Sequence, residues 1–429
     1  MVFFQLCKVL LLSLLIKNNL YNVKLIKILL KTIYKCGVIP IKMIQWGLPY
    51  MKSIELDENI LKVFENIYEK CPIHKLEYTN EIYHKDFYST LNDDYEIIEI
   101  IGSGSIGQVY KIKDKDDKIY AMKVKHPNAD NDFITIKFYL KILSTIFTFN
   151  KLIPISLNDF LDQFEEQLYF INESNNILKF GELYKNNKLY KIPQLFKFSE
   201  NIIIMEYLEG KTINEFTHNN LKHSKFNLFI FIFMNNNLFI NNLNHGDLHN
   251  YNWKITDDDK IVIFDFGLCW KLKNKKIIEY LHILVEGLYK KDYDIIYKSF
   301  YNLINTSSNT SSNIQNKLIK EYFNKDMGGK INRFIDFFRH LISFSIDNGI
   351  ILDVNLLYIM ISWQNTLIIF MKRFKDSDNF EHNNLYTEEY NICDYYDILP
   401  EYKKHLRKEI FKYEKNTDID YSKFNKFIT

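Results

Sequence analysis

Three oxygen-bearing side chains recur at fixed intervals late in the chain. In HGDLHNYN, Asp247 stands five residues before Asn252. Asp265, in IVIFDFG, follows Asn252 by thirteen. Short oxygen ligands of this kind suit a hard divalent cation. One carboxylate can orient or deprotonate an attacking hydroxyl, while an amide oxygen and a second carboxylate hold Mg2+ against phosphate oxygens. The reading requires residues far apart in the chain to converge in one cleft. His245 and His249 flank Asp247 as H-x-D-x-H, a spacing also open to zinc. The glycine turn and the Asp-Phe-Gly run favour Mg2+, and His245 is expected to brace the loop by hydrogen bonds.

The glycine turn is GSGSIGQV, with Gly102, Gly104, Gly107 and Val109. G-x-G-x-x-G alone is a weak signal, shared with dinucleotide folds. Here the turn leads into a strand rather than a helix, which points to a hairpin flap over phosphates. Glycines let the backbone bring its N–H groups close to phosphate oxygens, and Ser103 and Ser105 are candidate hydroxyl donors. Lys123, in AMKV, follows fourteen residues after Val109. A lysine centred in a buried strand is costly unless it meets negative charge, which phosphates and a carboxylate supply. The run IIIMEYLEG fits a strand and hinge, with the backbone of Glu206 to Leu208 placed for the edge of a nucleotide base.

The organisation supports a large folded protein. The chain has 429 residues, 47% of them hydrophobic and 16% aromatic, which excludes a mostly disordered polymer. A net charge of +2 does not indicate a globally basic nucleic-acid binder. Charge is nevertheless polarised, since the first 50 residues hold seven Lys and no Asp, Glu or Arg. Residues 2–16 are apolar but too short to span a bilayer, which takes about 20 residues, and they match a secretory signal poorly. Lys24, Lys27, Lys31 and Lys35 then share one helical face. That pattern fits a helix lying on an anionic membrane or one packed on its own protein with a solvated lysine face. The acid-poor start also resembles an organelle transit peptide. Five scattered cysteines without C-x-x-C fit a reducing compartment. Residues 95–125 read as strands, with DKDDK at 114–118 as a hairpin turn. Residues 132–185 read as helices, 202–208 as a strand, and the remainder as helical except 245–267. Residues 305–314 read as a surface loop, and 225–240 and 354–371 as buried core helices rather than membrane spans.

Together these motifs resemble the catalytic loop and metal site of kinase-like folds, and more narrowly the UbiB/ADCK (aarF-domain) atypical kinase family. GSGSIGQVY and AMKVKHP look like that family's nucleotide loop and lysine strand. QLYFINESNN looks like its E-x-D…E-A-x-N helix, HGDLHNYN its catalytic loop and FDFG its metal motif. The resemblance spans about residues 45–270. It implies that Glu173 pairs with Lys123, that Asn252 and Asp265 are metal ligands, and that Asp247 is the catalytic-loop acid. Some positions depart from the pattern. The family's K-x-G-Q motif is expected near QWGL, with Gln45 and Leu48 in place of its Lys and Gln. The E-x-D is Gln167-Leu-Tyr169. This suggests the joint loss of an ion pair, and puts the family's proposed self-inhibition in doubt. The family's alanine-rich loop is glycine-rich here. Gly246 stands where ordinary kinases carry the arginine that reads a phosphorylated loop, and no A-P-E follows Gly267.

The expected fold is therefore α+β and two-lobed, kinase-like, with a helical N-terminal extension (1–90), an N-lobe (91–208) and a mostly helical C-lobe (209–429). The expected function is an ATP- and Mg2+-dependent phosphotransferase or ATPase. By resemblance it is intracellular and membrane-associated through its N-terminus, linked to isoprenoid quinone synthesis or lipid handling, and mitochondrial. The alternatives are a non-catalytic nucleotide-binding scaffold and a small-molecule phosphotransferase of the choline or aminoglycoside type.

Overall fold

The structure is a computed structural model. It describes residues 8–9, 23–42, 44–45, 63–64, 71–146, 154, 156–216, 220–290, 292–307, 313–324, 334–360, 362–363 and 383–413. Most of the apolar run at 2–16, Leu48, the middle of the polar stretch at 305–314 and the end of the run at 354–371 lie outside them.

Helix α1 (Val23–Tyr34) buries Ile26, Leu29, Leu30 and Ile33 and leaves Lys24, Lys27, Lys31 and Lys35 exposed. Its apolar face packs with Ile41, Phe64 and Cys71, so this protein itself covers it. A short helical segment, 38–42, follows after Gly37, and residues 44–45 are helical as well. Helix α2 (Leu76–Phe87) and the single turn α3 (Leu91–Asp94) lead into a five-stranded antiparallel sheet.

The sheet is built from β1 (Glu96–Ser103), β2 (Gly107–Lys113), β3 (Ile119–Lys125), β5 (Leu195–Phe198) and β6 (Ile202–Glu206), in the order β1-β2-β3-β6-β5. The 114–118 turn closes as its composition requires. Asp114 Oδ1 accepts the N–H groups of Asp116 and Lys118, each at 2.9 Å, and Asp117 takes the left-handed conformation at φ 60°. The central strands β3 and β6 are almost wholly buried, which explains their continuous apolar character.

Between β3 and β5 lie α4 (Ala129–Ile146), α5 (Leu157–Glu166), α6 (Phe170–Tyr184) and the two-residue strand β4 (Tyr190–Lys191). The second lobe opens with α7 (Asn220–Asn236). Residues 226–238 are buried without interruption, as expected for a core helix. Its polar end is partly satisfied internally: Asn236 donates to the Tyr184 hydroxyl at 2.9 Å and Asn235 to Glu389 at 3.0 Å, while Asn235 Oδ1 is buried without a partner. Short strands follow. β7 (Asn244–His245) pairs with β10 (Cys269–Trp270), while β8 (Trp253–Ile255) and β9 (Ile261–Ile263) join β4. The rest is helical: α8 (Lys276–Lys290), α9 (Tyr293–Ser307), α10 (Asn313–Tyr322), α11 (Phe334–Asp347), α12 (Asn383–Tyr395) and α13 (Pro400–Tyr413). Residues 305–307 belong to α9 rather than to a loop. The four described cysteines are free thiols. Among the described residues, no helix is long and apolar enough to cross a membrane.

Candidate active site

One cleft lies between the sheet and the short strands of the second lobe. Val109, Ala121, Met205 and the exposed Ile101 supply apolar lining, and Tyr207 and Leu208 line it as well. The glycine turn, Lys123, Glu173, Asn252 and Asp265 line the same cleft.

The ladder fixes Lys123. It pairs in register with Val109 on β2 and Ile203 on β6, which aims its side chain at the first turn of α6. There its Nζ donates to both oxygens of Glu173 at 2.8 Å, and to Asp265 Oδ1 at 3.2 Å. Burial alone would lower the lysine's pKa, but Asp265 and Glu173 outweigh it and hold the ammonium charged. Asp265 has φ 60°, a strained conformation for a residue with a Cβ. Asn176 steadies this bend by donating to Phe266 O at 3.1 Å, and Phe264 N–H donates to Asn252 O at 3.1 Å. Burial would raise the Asp265 pKa, yet Lys123 and Lys42 hold the carboxyl well below the usual range.

The loop after β7 brings Asp247 and Asn252 to the same side. Asn252 Nδ2 donates to Asp247 O at 2.7 Å and lies 3.3 Å from His249 Nε2. Its Oδ1 is thereby left toward the cleft, a suitable donor for a hard cation. Asp265 supplies the anionic partner, so the donor set fits Mg2+, which is commonly held by one or two carboxylates plus phosphates. Among the described residues, no cluster of three His, Cys, Asp or Glu side chains could hold a metal alone. His245 does brace the loop: its Nε2 lies 3.3 Å from Phe264 O, and its Nδ1 accepts Asp247 N–H at 3.3 Å. At Gly246, a Cβ would meet Leu268 at 2.7 Å and Trp270 at 3.0 Å, so no arginine fits there.

Two expectations need correction. The cation that reaches the loop from the N-terminal extension is Lys42, not a residue of QWGL. Its Nζ lies 2.7 Å from Asp247 Oδ2, and Gln45 lines the cleft beside it. Lys42 and Gln45 have the Lys and Gln spacing of K-x-G-Q, with Ile44 in the glycine position, so the basic charge was not lost. Only the acid is gone: Gln167 is buried, and its Nε2 has no hydrogen-bond partner. The second correction concerns Ser103, whose hydroxyl donates to Pro72 O at 3.1 Å and is not offered to phosphates. Both Ser103 and Ser105 line the cleft. At the hinge, Glu206 and Leu208 both line the cleft. Glu206 N–H is spent on Gln194 O at 2.8 Å, whereas Leu208 N–H has no protein acceptor among the described residues.

Lys42 charges the site further. Burial opposes its charge, but Asp247 and Asp265 raise its pKa. Asp247 itself is held low: burial would raise it, and Lys42 and His249 outweigh that. Lys42 and Asn176 escaped the sequence reading, although E-x-x-N spacing puts Asn176 on the Glu173 face of α6.

A five-stranded antiparallel lobe, a helical lobe and a buried lysine–carboxylate cluster between them define a two-lobed, kinase-like protein. The ABC1 atypical kinase-like domain model matches residues 66–300, more than half of the chain, and the chain belongs to that family. Its relatives include probable serine/threonine-protein kinase abkC of Dictyostelium discoideum, 26% identical over 56% of this chain and 36% of that one. AarF domain-containing kinase 1 of Drosophila melanogaster is 23% identical over 53% of this chain and 47% of its own length. This chain thus spans less than half of these relatives. The fold is also similar to that of Rv3197 from Mycobacterium tuberculosis, solved as a complex with erythromycin. The TM-score is 0.50 at 15% identity, covering 76% of this chain and 83% of that one.

Proposed function

We propose that this chain binds Mg-ATP in the cleft and transfers or hydrolyses its terminal phosphate. The carrying observation is that Lys123 meets Glu173 at 2.8 Å and Asp265 at 3.2 Å in a cleft that Asn252 and the glycine turn also line. In this reading Lys123 and the turn's N–H groups bind phosphate oxygens, and the apolar lining and Leu208 N–H take the base. Asn252 Oδ1 and Asp265 hold Mg2+, which when bound neutralises phosphate charge. Asp247 orients the acceptor and takes its proton. Only residues 268–275 separate Gly267 from α8, too little chain for a long peptide-docking segment. That favours water or a small or lipid-like acceptor. The exposed lysines of α1 support a setting at an anionic membrane surface, and the UbiB/ADCK resemblance supports a link to isoprenoid quinone or lipid metabolism.

A second reading, a nucleotide-binding scaffold without turnover, is favoured by one contact: Lys42 occupies the Asp247 carboxylate at 2.7 Å. Measuring Mg-ATP binding and phosphate release, with and without anionic phospholipid vesicles, separates the two. Turnover abolished by Asp247→Ala establishes catalysis. Binding without turnover in every condition establishes the scaffold. Equal ATP affinity in wild type, Lys123→Ala and Asp265→Asn would overturn both.

A further inference from the structure

Behind the glycine turn runs a line of polar side chains that joins His126 of AMKVKHP and Gln108 and Tyr110 of GSGSIGQVY to His74 and Thr79. His126 Nε2 lies 3.0 Å from Gly104 O, and His126 Nδ1 lies 2.8 Å from His74 Nδ1. His74 Nε2 lies 2.9 Å from Thr79 Oγ1, which lies 2.7 Å from the Tyr110 hydroxyl. Gln108 Nε2 donates to that hydroxyl at 2.7 Å, and Gln108 Oε1 accepts His74 N–H at 2.9 Å. Thr79, Gln108 and Tyr110 are fully or almost fully buried.

The ends of this line fix every proton in it. A carbonyl only accepts, so His126 carries its hydrogen on Nε2 and presents a lone pair at Nδ1. His74 must then donate from Nδ1 and accept at Nε2, from the Thr79 hydroxyl. Thr79 in turn accepts from Tyr110, and Tyr110 accepts from the Gln108 amide. The backbone N–H of His74 needs an acceptor, which orients Gln108 with its oxygen there and its nitrogen toward Tyr110. The bonds therefore run in one direction, from Gln108 to Gly104. Reversing either imidazole alone sets two lone pairs or two N–H groups against each other; the Tyr110 hydroxyl, 3.5 Å from His74 Nε2, lies on the same accepting side of that ring. Burial disfavours the charged form of both imidazoles, in keeping with this direction. Burial and the neighbouring His126 push His74 down to about 4, and burial lowers His126 against the pull of Gly104 O.

The carbonyls of the turn are taken from the same side. Cys71 N–H donates to Ser103 O at 3.1 Å, and His126 N–H to Ile106 O at 2.8 Å. The N–H groups of Ser105 and Ile106 have no protein acceptor among the described residues. We propose that His74 and His126 are positioning residues for the glycine turn: they hold its carbonyl face, so that its N–H face is presented to the nucleotide phosphates. His126 touches the turn directly, and His74 acts through His126. This role rests on the nucleotide reading of the cleft.

The test uses the full chain. Mg-ATP affinity is measured by calorimetry for wild type, Lys123→Ala, His126→Ala, His126→Gln and His74→Ala. Hydrogen exchange of residues 102–107 is measured on the same proteins without nucleotide. Glutamine keeps a donor near the Nε2 position, whereas alanine does not. His126→Ala is expected to weaken ATP binding about tenfold, as for one lost hydrogen bond, and to speed exchange in the turn. His126→Gln should recover most of both, and His74→Ala should fall between. Unchanged exchange in His126→Ala, or equal losses with alanine and glutamine, overturns the proposal. If wild type binds ATP no better than Lys123→Ala, the nucleotide reading fails; the exchange measurement still decides whether the histidines hold the turn.

Discussion

Lys123 and Lys42 enter the same cleft on different supports. Lys123 is set by strand pairing on both sides, and two carboxylates then close on it. Lys42 sits on a short helical segment outside the sheet and reaches across 205 positions of sequence to Asp247. A charge placed by the ladder keeps its position when its partner is removed. A charge placed by an ion pair depends on that pair and on the packing of its segment. The contrast separates a charge built into the sheet from a removable contact on the Asp247 loop.

The largest effect is expected on the ladder side. Asp265→Asn removes the cation ligand proposed above and a partner of Lys123. Mg-ATP affinity should fall by about 100-fold or more, exceeding the roughly 10–100-fold typical of outer-shell changes. Titration calorimetry at fixed Mg2+ measures it, and a loss below tenfold would contradict the ligand role. Next is Lys123→Met, which leaves Glu173, 1% exposed, as an uncompensated buried acid. It should cost about 3–5 kcal/mol in urea unfolding. Adding Glu173→Leu should recover most of that, and no recovery would mean that the cost lies elsewhere.

Lys42→Met strips the partner from Asp247, whose side chain is 11% exposed. A smaller cost, about 1–3 kcal/mol, is expected. If it equals that of Lys123→Met, the contrast between the two lysines is lost. The glycines sharpen the ladder side further. A Cβ at Gly107 would lie 2.8 Å from Val124 O and 3.2 Å from the Phe170 ring, whereas at Gly104 the nearest atom is 3.8 Å away. Gly107→Ala should therefore cost about 1–3 kcal/mol by overpacking, and Gly104→Ala within about 0.5 kcal/mol. Thermal melts of the two variants would show the order.

The smallest effect is in pH. Burial pushes His249, beside Asp247, down to about 4, and it does the same to His74. Unfolded histidine binds its proton near pH 6.5. Between these values the unfolded chain holds more protons, so stability falls as pH drops from about 6.5 toward 4. His249→Asn should flatten that slope in denaturant titrations. An unchanged slope would mean that the imidazole is not buried as described.

Much of this was legible in the chain itself. Asp247, Asn252, Asp265, Lys123 and the glycine turn each sit in a compact run whose spacing states its chemistry, and the 114–118 hairpin is written in its aspartates. Lys42 was not legible, because Ile44 replaces the glycine that would mark its motif and its partner lies in another lobe. Ser103 looked like a phosphate donor, since nothing in GSGSIG tells that Pro72 O would claim its hydroxyl. β4 is two residues long and has no period to detect. The His74–His126 line is tertiary, assembled from four separate stretches of chain.

Gly246 carries a last consequence. The space where an arginine would project is filled by Leu268 and Trp270. No cation there can report on a covalent mark downstream. Under the function proposed above, what remains to govern the crevice is how firmly Lys42 keeps its seat on Asp247.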